Sequence, residues 1–135
     1  MKSRNGSNYN LLYVVAFIAV LFFFPQRLSG GDWYAPQEAT AQQNPIERSD
    51  ASVAAGKKLF EANCISCHAI DAKGLKAAHA RLDIDTPNLV IGLKAQSGGA
   101  YHWKIKNGKK RMPGYQQRLS DQEIWHIINY ISSIE

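Results

Sequence analysis

Two cysteines and a histidine stand together at Cys64-Ile65-Ser66-Cys67-His68, and a chain carrying that run has to fold around whatever the three side chains hold. In Cys-x-x-Cys-His the thiols add across the vinyl groups of a porphyrin, and the histidine beside them is then placed to bind the iron. Other uses of a thiol pair fit less well. Cys64 and Cys67 are the only cysteines, so a four-cysteine zinc site cannot form within one chain. A thioredoxin-type pair would end a strand in a βαβ pattern, and none surrounds this one. The two thiols alone also admit a plain disulfide; the adjoining His68 argues for one covalent haem c instead.

An iron held by one histidine needs a sixth ligand or an open face, and a thioether is the ligand that raises reduction potential. Met1 opens the chain, which leaves Met112 as the candidate. It lies in Lys109-Lys110-Arg111-Met112-Pro113-Gly114-Tyr115, after the helix-stop signal Asn107-Gly108 and before a proline that stiffens the loop. A lone methionine is often core filler, but these neighbours make a loop and not an apolar stripe. His68 and Met112 are therefore the expected metal ligands. His102 and His126 fall within helical patterns and His79 in a polar connection, positions that suit packing or the surface.

The run Ala55-Gly56-Lys57-Lys58-Leu59-Phe60-Glu61-Ala62-Asn63 leading into the motif resembles the opening of a small class I, single-haem bacterial cytochrome c. Ser97 to Gly108, Met112-Pro113 and Leu119-Ser120-Asp121-Gln122-Glu123-Ile124-Trp125 resemble its second half, so the likeness covers most of residues 45–135. It implies an all-α cytochrome c fold, short helices packed around the haem. The usual Gly-Pro-x-Leu signature is missing between His68 and Pro87. Thr86-Pro87-Asn88-Leu89 stands in its place, which would let the Pro87 carbonyl meet the second nitrogen of His68. The resemblance also offers Trp103 and Tyr115 as crevice or propionate contacts; aromatic core packing is the equal alternative.

Lys2 and Arg4 precede an apolar run from Leu11 to Phe24. That charge order keeps the N-terminus in the cytoplasm and sends the rest across the membrane. Fourteen residues of helix reach roughly 21 Å, short of a hydrocarbon core of about 30 Å and suited to a signal peptide. Extended from Tyr9 to Leu28, with Trp33 and Tyr34 at the interface, the segment would nearly span. The expectation is a cytoplasmic tail over 1–10, a transmembrane anchor or uncleaved signal segment over 11–28, an extended tether over 29–49 and a cytochrome c domain over 50–135. The haem domain is expected outside the cytoplasm, either membrane-anchored or soluble in the periplasm after cleavage.

Within the domain three helices are legible. One starts at Asp50 as N-cap, with Val53, Gly56 and Phe60 on one face. One runs from Gly98 to Lys106. The last opens on the capping box Ser120 to Glu123, with Ile124, Ile127, Ile128, Ile131 and Ile134 at helical spacing. Gly56 is expected to let the first and last cross closely, bringing Phe60 to Ile127 and Tyr130. The stretch from Ala69 to Ala95 reads as loosely helical at best.

From Ala51 to Glu135 there are twelve Lys and Arg against seven Asp and Glu. Lys104, Lys106, Lys109, Lys110 and Arg111 crowd beside Met112, a rim that would steer a redox partner with an acidic docking face. A solvated face is the plainer use of such charge. Nucleic acid does not fit an exported haem domain. These features point to a one-electron carrier with no catalytic residues, possible as a subunit of a respiratory complex. The alternative is a haem peroxidase or gas sensor with an open or labile sixth ligand, for which His102 is the one candidate distal group.

Overall fold

Seven helical segments build residues 33–135, the part of the chain that this computed structural model describes. They are α1 (Gln37–Thr40), α2 (Asp50–Asn63), α3 (Ile65–His68), α4 (Ala77–Ala80), α5 (Leu89–Ala95), α6 (Gly98–Asn107) and α7 (Asp121–Ser133). Among the described residues there is no strand beyond an isolated bridge between Lys109 and Met112. The all-α expectation holds for this unit. The polar tail and the hydrophobic segment 11–28 lie outside the described residues, and no helix among the described ones is long and apolar enough to cross a membrane.

Local chemistry sets the helix ends. Ser120 accepts from Glu123 N through its hydroxyl while its own backbone N–H donates to the Glu123 carboxylate, a closed capping box. Ser97 caps α6 by accepting from Ala100 N, and Gly108 ends that helix at φ 67°, a backbone region that favours glycine. The cap of α2 is Ser49, accepting from Ser52 N. Asp50 instead sits in the first turn, where a carboxylate suits the helix N-terminus. Helix α5 was not expected. Its start is marked by Asn88, whose side chain accepts from Ile91 N.

The core forms where α2 crosses α7. A Cβ on Gly56 would stand 1.9 Å from the His126 carbonyl oxygen, so only glycine permits this approach. Phe60, 0% exposed, meets Tyr130 with ring centroids 5.4 Å apart, and Ile124, Trp125, Ile127 and Ile131 bury the facing stripe of α7. Each such side chain contributes about 1.5–3 kcal/mol when fully buried.

A buried polar cluster fixes the same crossing. Asn129 Nδ2 donates to Ser52 Oγ at 2.8 Å and lies near the carbonyls of Ile46 and Glu47 at 3.2 and 3.3 Å. Asn129 Oδ1 accepts from Asn44 Nδ2 at 2.8 Å. Ser52 Oγ is also 2.8 Å from His126 Nδ1. With Asn129 donating to it, Ser52 keeps its own proton to give that nitrogen.

The expected tether is, over its described part, packed. From Trp33 onward the chain belongs to the same compact unit as the helices. Ser97 Oγ donates to the Thr40 carbonyl at 2.6 Å. Helix α6 presents Gly99 to this strap, and a Cβ there would meet the Ala39 carbonyl oxygen at 2.1 Å. Lys104 Nζ stands 5.5 Å above the Trp33 ring.

Candidate functional site

Helix α2 stops at Cys64, where φ is −121°, and the chain restarts as the single turn α3. Cys64 N still donates to the Phe60 carbonyl at 2.8 Å, and His68 N donates to the Cys64 carbonyl at 2.9 Å. The motif is thus one short turn hung rigidly from the core helix, closed by Ala69 at φ 61°. Both cysteines are free and half-buried. Burial, helped by the neighbouring charge of Cys67, pushes the Cys64 thiol up to about 12.

His68 is 9% exposed. Burial lowers its pKa, while the Pro87 carbonyl beside the ring works in the opposite direction. The imidazole is therefore favoured in the neutral form that binds metals. No other hydrogen bond of ordinary geometry reaches its buried Nδ1, and the Pro87 carbonyl is the acceptor that acts on the ring. Two free thiols, a neutral buried imidazole and an orphaned Nδ1 beside a carbonyl make a donor set that fits haem c.

Thr86 holds the loop that carries this carbonyl, a role the sequence did not reveal. Its hydroxyl donates to the Cys67 carbonyl and accepts from Leu75 N at 2.7 Å. Gly74, at φ 87°, lets the chain pass; a Cβ there would stand 2.3 Å from the Thr86 carbonyl oxygen. Leu89 N donates to the Ala72 carbonyl at 2.8 Å, fixing the start of α5 to the same loop.

Met112 closes a tight turn. Lys109 N donates to the Met112 carbonyl at 2.9 Å, Met112 N returns the bond at 3.1 Å, and Lys110 takes φ 53° between them. The turn is rooted on α6, where Tyr115 N donates to the Ile105 carbonyl and Gln116 N to that of Lys106. Met112 is half-buried and packs against the hydrophobic core. Tyr115 is buried, and its phenol donates to the Asn63 carbonyl at 2.8 Å, so it ties the methionine loop to the residue before Cys64. Its phenol proton is engaged with the backbone. Trp103 is half-buried on α6.

Two of the other histidines lie within the packed helices. His102 is buried and stacks on Trp125 at 4.4 Å, with Nε2 3.4 Å from Asp121 Oδ1 but not aligned for a hydrogen bond. His126 joins the α2–α7 cluster, and His79 is exposed. The basic rim is also partly engaged. Lys106 pairs with Asp121 at 2.8 Å, Arg111 with Asp83 at 3.3 Å, and Lys104 lies between the Gln96 side chain and Trp33. Lys109 and Lys110, at the turn beside Met112, have no ion pair among the described residues.

Residues 51–131 match the family model described as "Cytochrome C oxidase, cbb3-type, subunit III". Cytochrome c6 of Limnospira maxima is 32% identical over 79 residues, covering 58% of this chain and 89% of that one. Cytochrome c6 of Bumilleriopsis filiformis is 34% identical over 83 residues, 62% of this chain and 92% of the relative. The cbb3-type cytochrome c oxidase subunit CcoP of Rhodobacter capsulatus is 32% identical over 95 residues, 63% of this chain but 30% of that longer protein.

Proposed function

Because the chain belongs to the c-type cytochrome family described as cytochrome c oxidase, cbb3-type, subunit III, we propose that it is a one-electron carrier whose iron is held between His68 and Met112. Its relatives make it a small single-haem class I cytochrome with covalent haem c. The haem supplies a one-electron Fe(III)/Fe(II) couple. Cys64 and Cys67 are the residues that would bond it, and the buried imidazole of His68 would ligate from one side.

The observation that carries the His/Met reading is the bond from Tyr115 to the Asn63 carbonyl. Asn63 immediately precedes the thiol motif and Tyr115 follows Met112 by three positions, so the two ligand segments share one support. A thioether as second ligand favours the reduced iron and closes the face a substrate would need. His102, the group a peroxidase or sensor would require, is taken up against Trp125 and Asp121.

For partners, the reading is a redox protein with an acidic face meeting the Lys109-Lys110 turn, where the unengaged charge of the rim is concentrated. The likeness to CcoP supports a place as a haem-bearing part of a respiratory complex. The charge order ahead of the apolar run supports export, with 11–28 kept as an anchor. A haem-stained band that stays with carbonate-washed membranes supports the anchor; release at a smaller mass shows cleavage.

Optical spectra of the purified protein, oxidised and reduced, with and without carbon monoxide, test the ligand set. A low-spin spectrum with a weak far-red methionine–iron band and no response to carbon monoxide is expected, and Met112→Ala should remove the band and admit carbon monoxide. A high-spin wild-type spectrum, or prompt carbon monoxide binding, refutes the closed His/Met carrier.

A further inference from the structure

Arg111 stands next to Met112, and its guanidinium meets the Asp83 carboxylate at two points: Nε to Oδ1 at 3.3 Å and Nη2 to Oδ2 at 3.4 Å. A planar fork on a carboxylate constrains orientation as well as distance. The two residues are 28 positions apart and belong to the two loops that flank the site. The Asp83 loop is held on the histidine side. Asp85 accepts from Ala77 N at 2.8 Å and pairs with Lys76 at 2.8 Å, and Thr86 is bonded to Cys67 and Leu75. The Arg111 loop is the methionine turn, rooted on α6 through Tyr115 and Gln116. Among the described residues this pair is the one hydrogen-bonded or ion-paired link between 81–88 and 109–114. Lys110 adds a weaker pull on the same carboxylate.

We propose that Asp83 and Arg111 form a surface clasp across the mouth of the site that sets how often the Met112 turn opens. The proposal rests on Met112 as the sixth ligand. Asp83 and Arg111 are positioning residues that act on the iron only through Met112. Both side chains are well exposed, at 64% and 62%, so the clasp is weak and open to screening. Exposed pairs shift an equilibrium by about two- to five-fold. A link of that size would leave the fold nearly unchanged while altering the opening rate of a turn whose own backbone hydrogen bonds, among the described residues, run only between Lys109 and Met112. It would also make opening depend on ionic strength, since charges at the surface are screened over about 10 Å at 0.1 M salt.

The test uses full-length, haem-loaded, ferric protein and follows loss of the far-red methionine–iron band on adding saturating imidazole, at about 10 mM and about 500 mM salt. Wild type, Asp83→Asn, Arg111→Gln and the charge exchange Asp83→Arg with Arg111→Asp are compared. The clasp requires the single variants to lose the band about two- to five-fold faster than wild type at low salt. Salt should accelerate wild type toward them, and the exchange should restore the slow rate. Equal, salt-independent rates with the band present in all four proteins would overturn the clasp and leave Met112 as ligand. Absence of the band from wild type would overturn the ligand reading and the clasp with it.

Discussion

The phenol of Tyr115 donates to the carbonyl of Asn63 across 52 positions of sequence, joining the loop after Met112 to the last residue before Cys64. Neither residue need touch the cofactor for this bond to matter, because it joins the supports of both proposed ligand segments.

Tyr115→Phe keeps the ring and removes the bond, leaving a part-buried carbonyl without its donor. A loss of about 1–2 kcal/mol is expected in urea unfolding, with a weaker far-red band. Unchanged stability and an unchanged band would show that the bond supports neither loop.

Gly56→Ala and Gly98→Ala should differ sharply. The first puts a methyl group 1.9 Å from the His126 carbonyl oxygen, in backbone that cannot step aside locally, and should cost about 3 kcal/mol or prevent holoprotein from accumulating. The second meets Trp125 at 3.4 Å, ordinary contact, and should be close to neutral. Melting temperatures of the pair measure the contrast, and similar values would refute the close crossing.

Asn129→Leu should cost about 2–3 kcal/mol, since it strands the Asn44 amide donor, takes one donor from the Ser52 hydroxyl and leaves the Ile46 carbonyl without the Asn129 amide. Amide hydrogen exchange should rise first over residues 44–49. Exchange confined to α7 would contradict this assignment.

Acid should destabilise the domain partly through His102. Burial, and secondarily Lys106, lower its pKa, against the pull of Asp121. Below the ordinary value of 6.5 the unfolded chain therefore binds more protons than the folded one. Stability present above that value is lost as pH falls through it toward the folded pKa. His102→Phe keeps a ring on Trp125 and should shrink the drop in urea midpoint between pH 7.5 and 5.5. An identical drop in both proteins would exclude His102 as a source.

The elements legible in the sequence were those with side-chain signatures. The Ser120–Glu123 box, the Asn107-Gly108 stop and the Gly56–Phe60 spacing marked α7, α6 and α2 to within a residue or so. Helix α5 escaped because Leu89-Val90-Ile91 is a continuous apolar run followed at once by Gly92, which hides the helical period. Its signal was the cap Asn88. The strap from Trp33 escaped for another reason. It is held chiefly through the carbonyls of Ala39 and Thr40 against Gly99 and Ser97, and backbone acceptors leave no trace in composition. The Asp83–Arg111 pair required the turns at Arg81 and Lys110, both with positive φ, which non-glycine residues do not advertise.

The crossing of α2 with α7 also governs when the chain can fold. Asn44 and Asn129 are bonded across 85 positions, and much of the buried wall, from Ile124 to Ile131, belongs to the last helix. Such end-to-end closure raises contact order and slows folding. A chain emerging N-terminus first would keep Phe60 uncovered until α7 follows. The face of α2 that ends in the thiol motif is therefore the part of the core completed last.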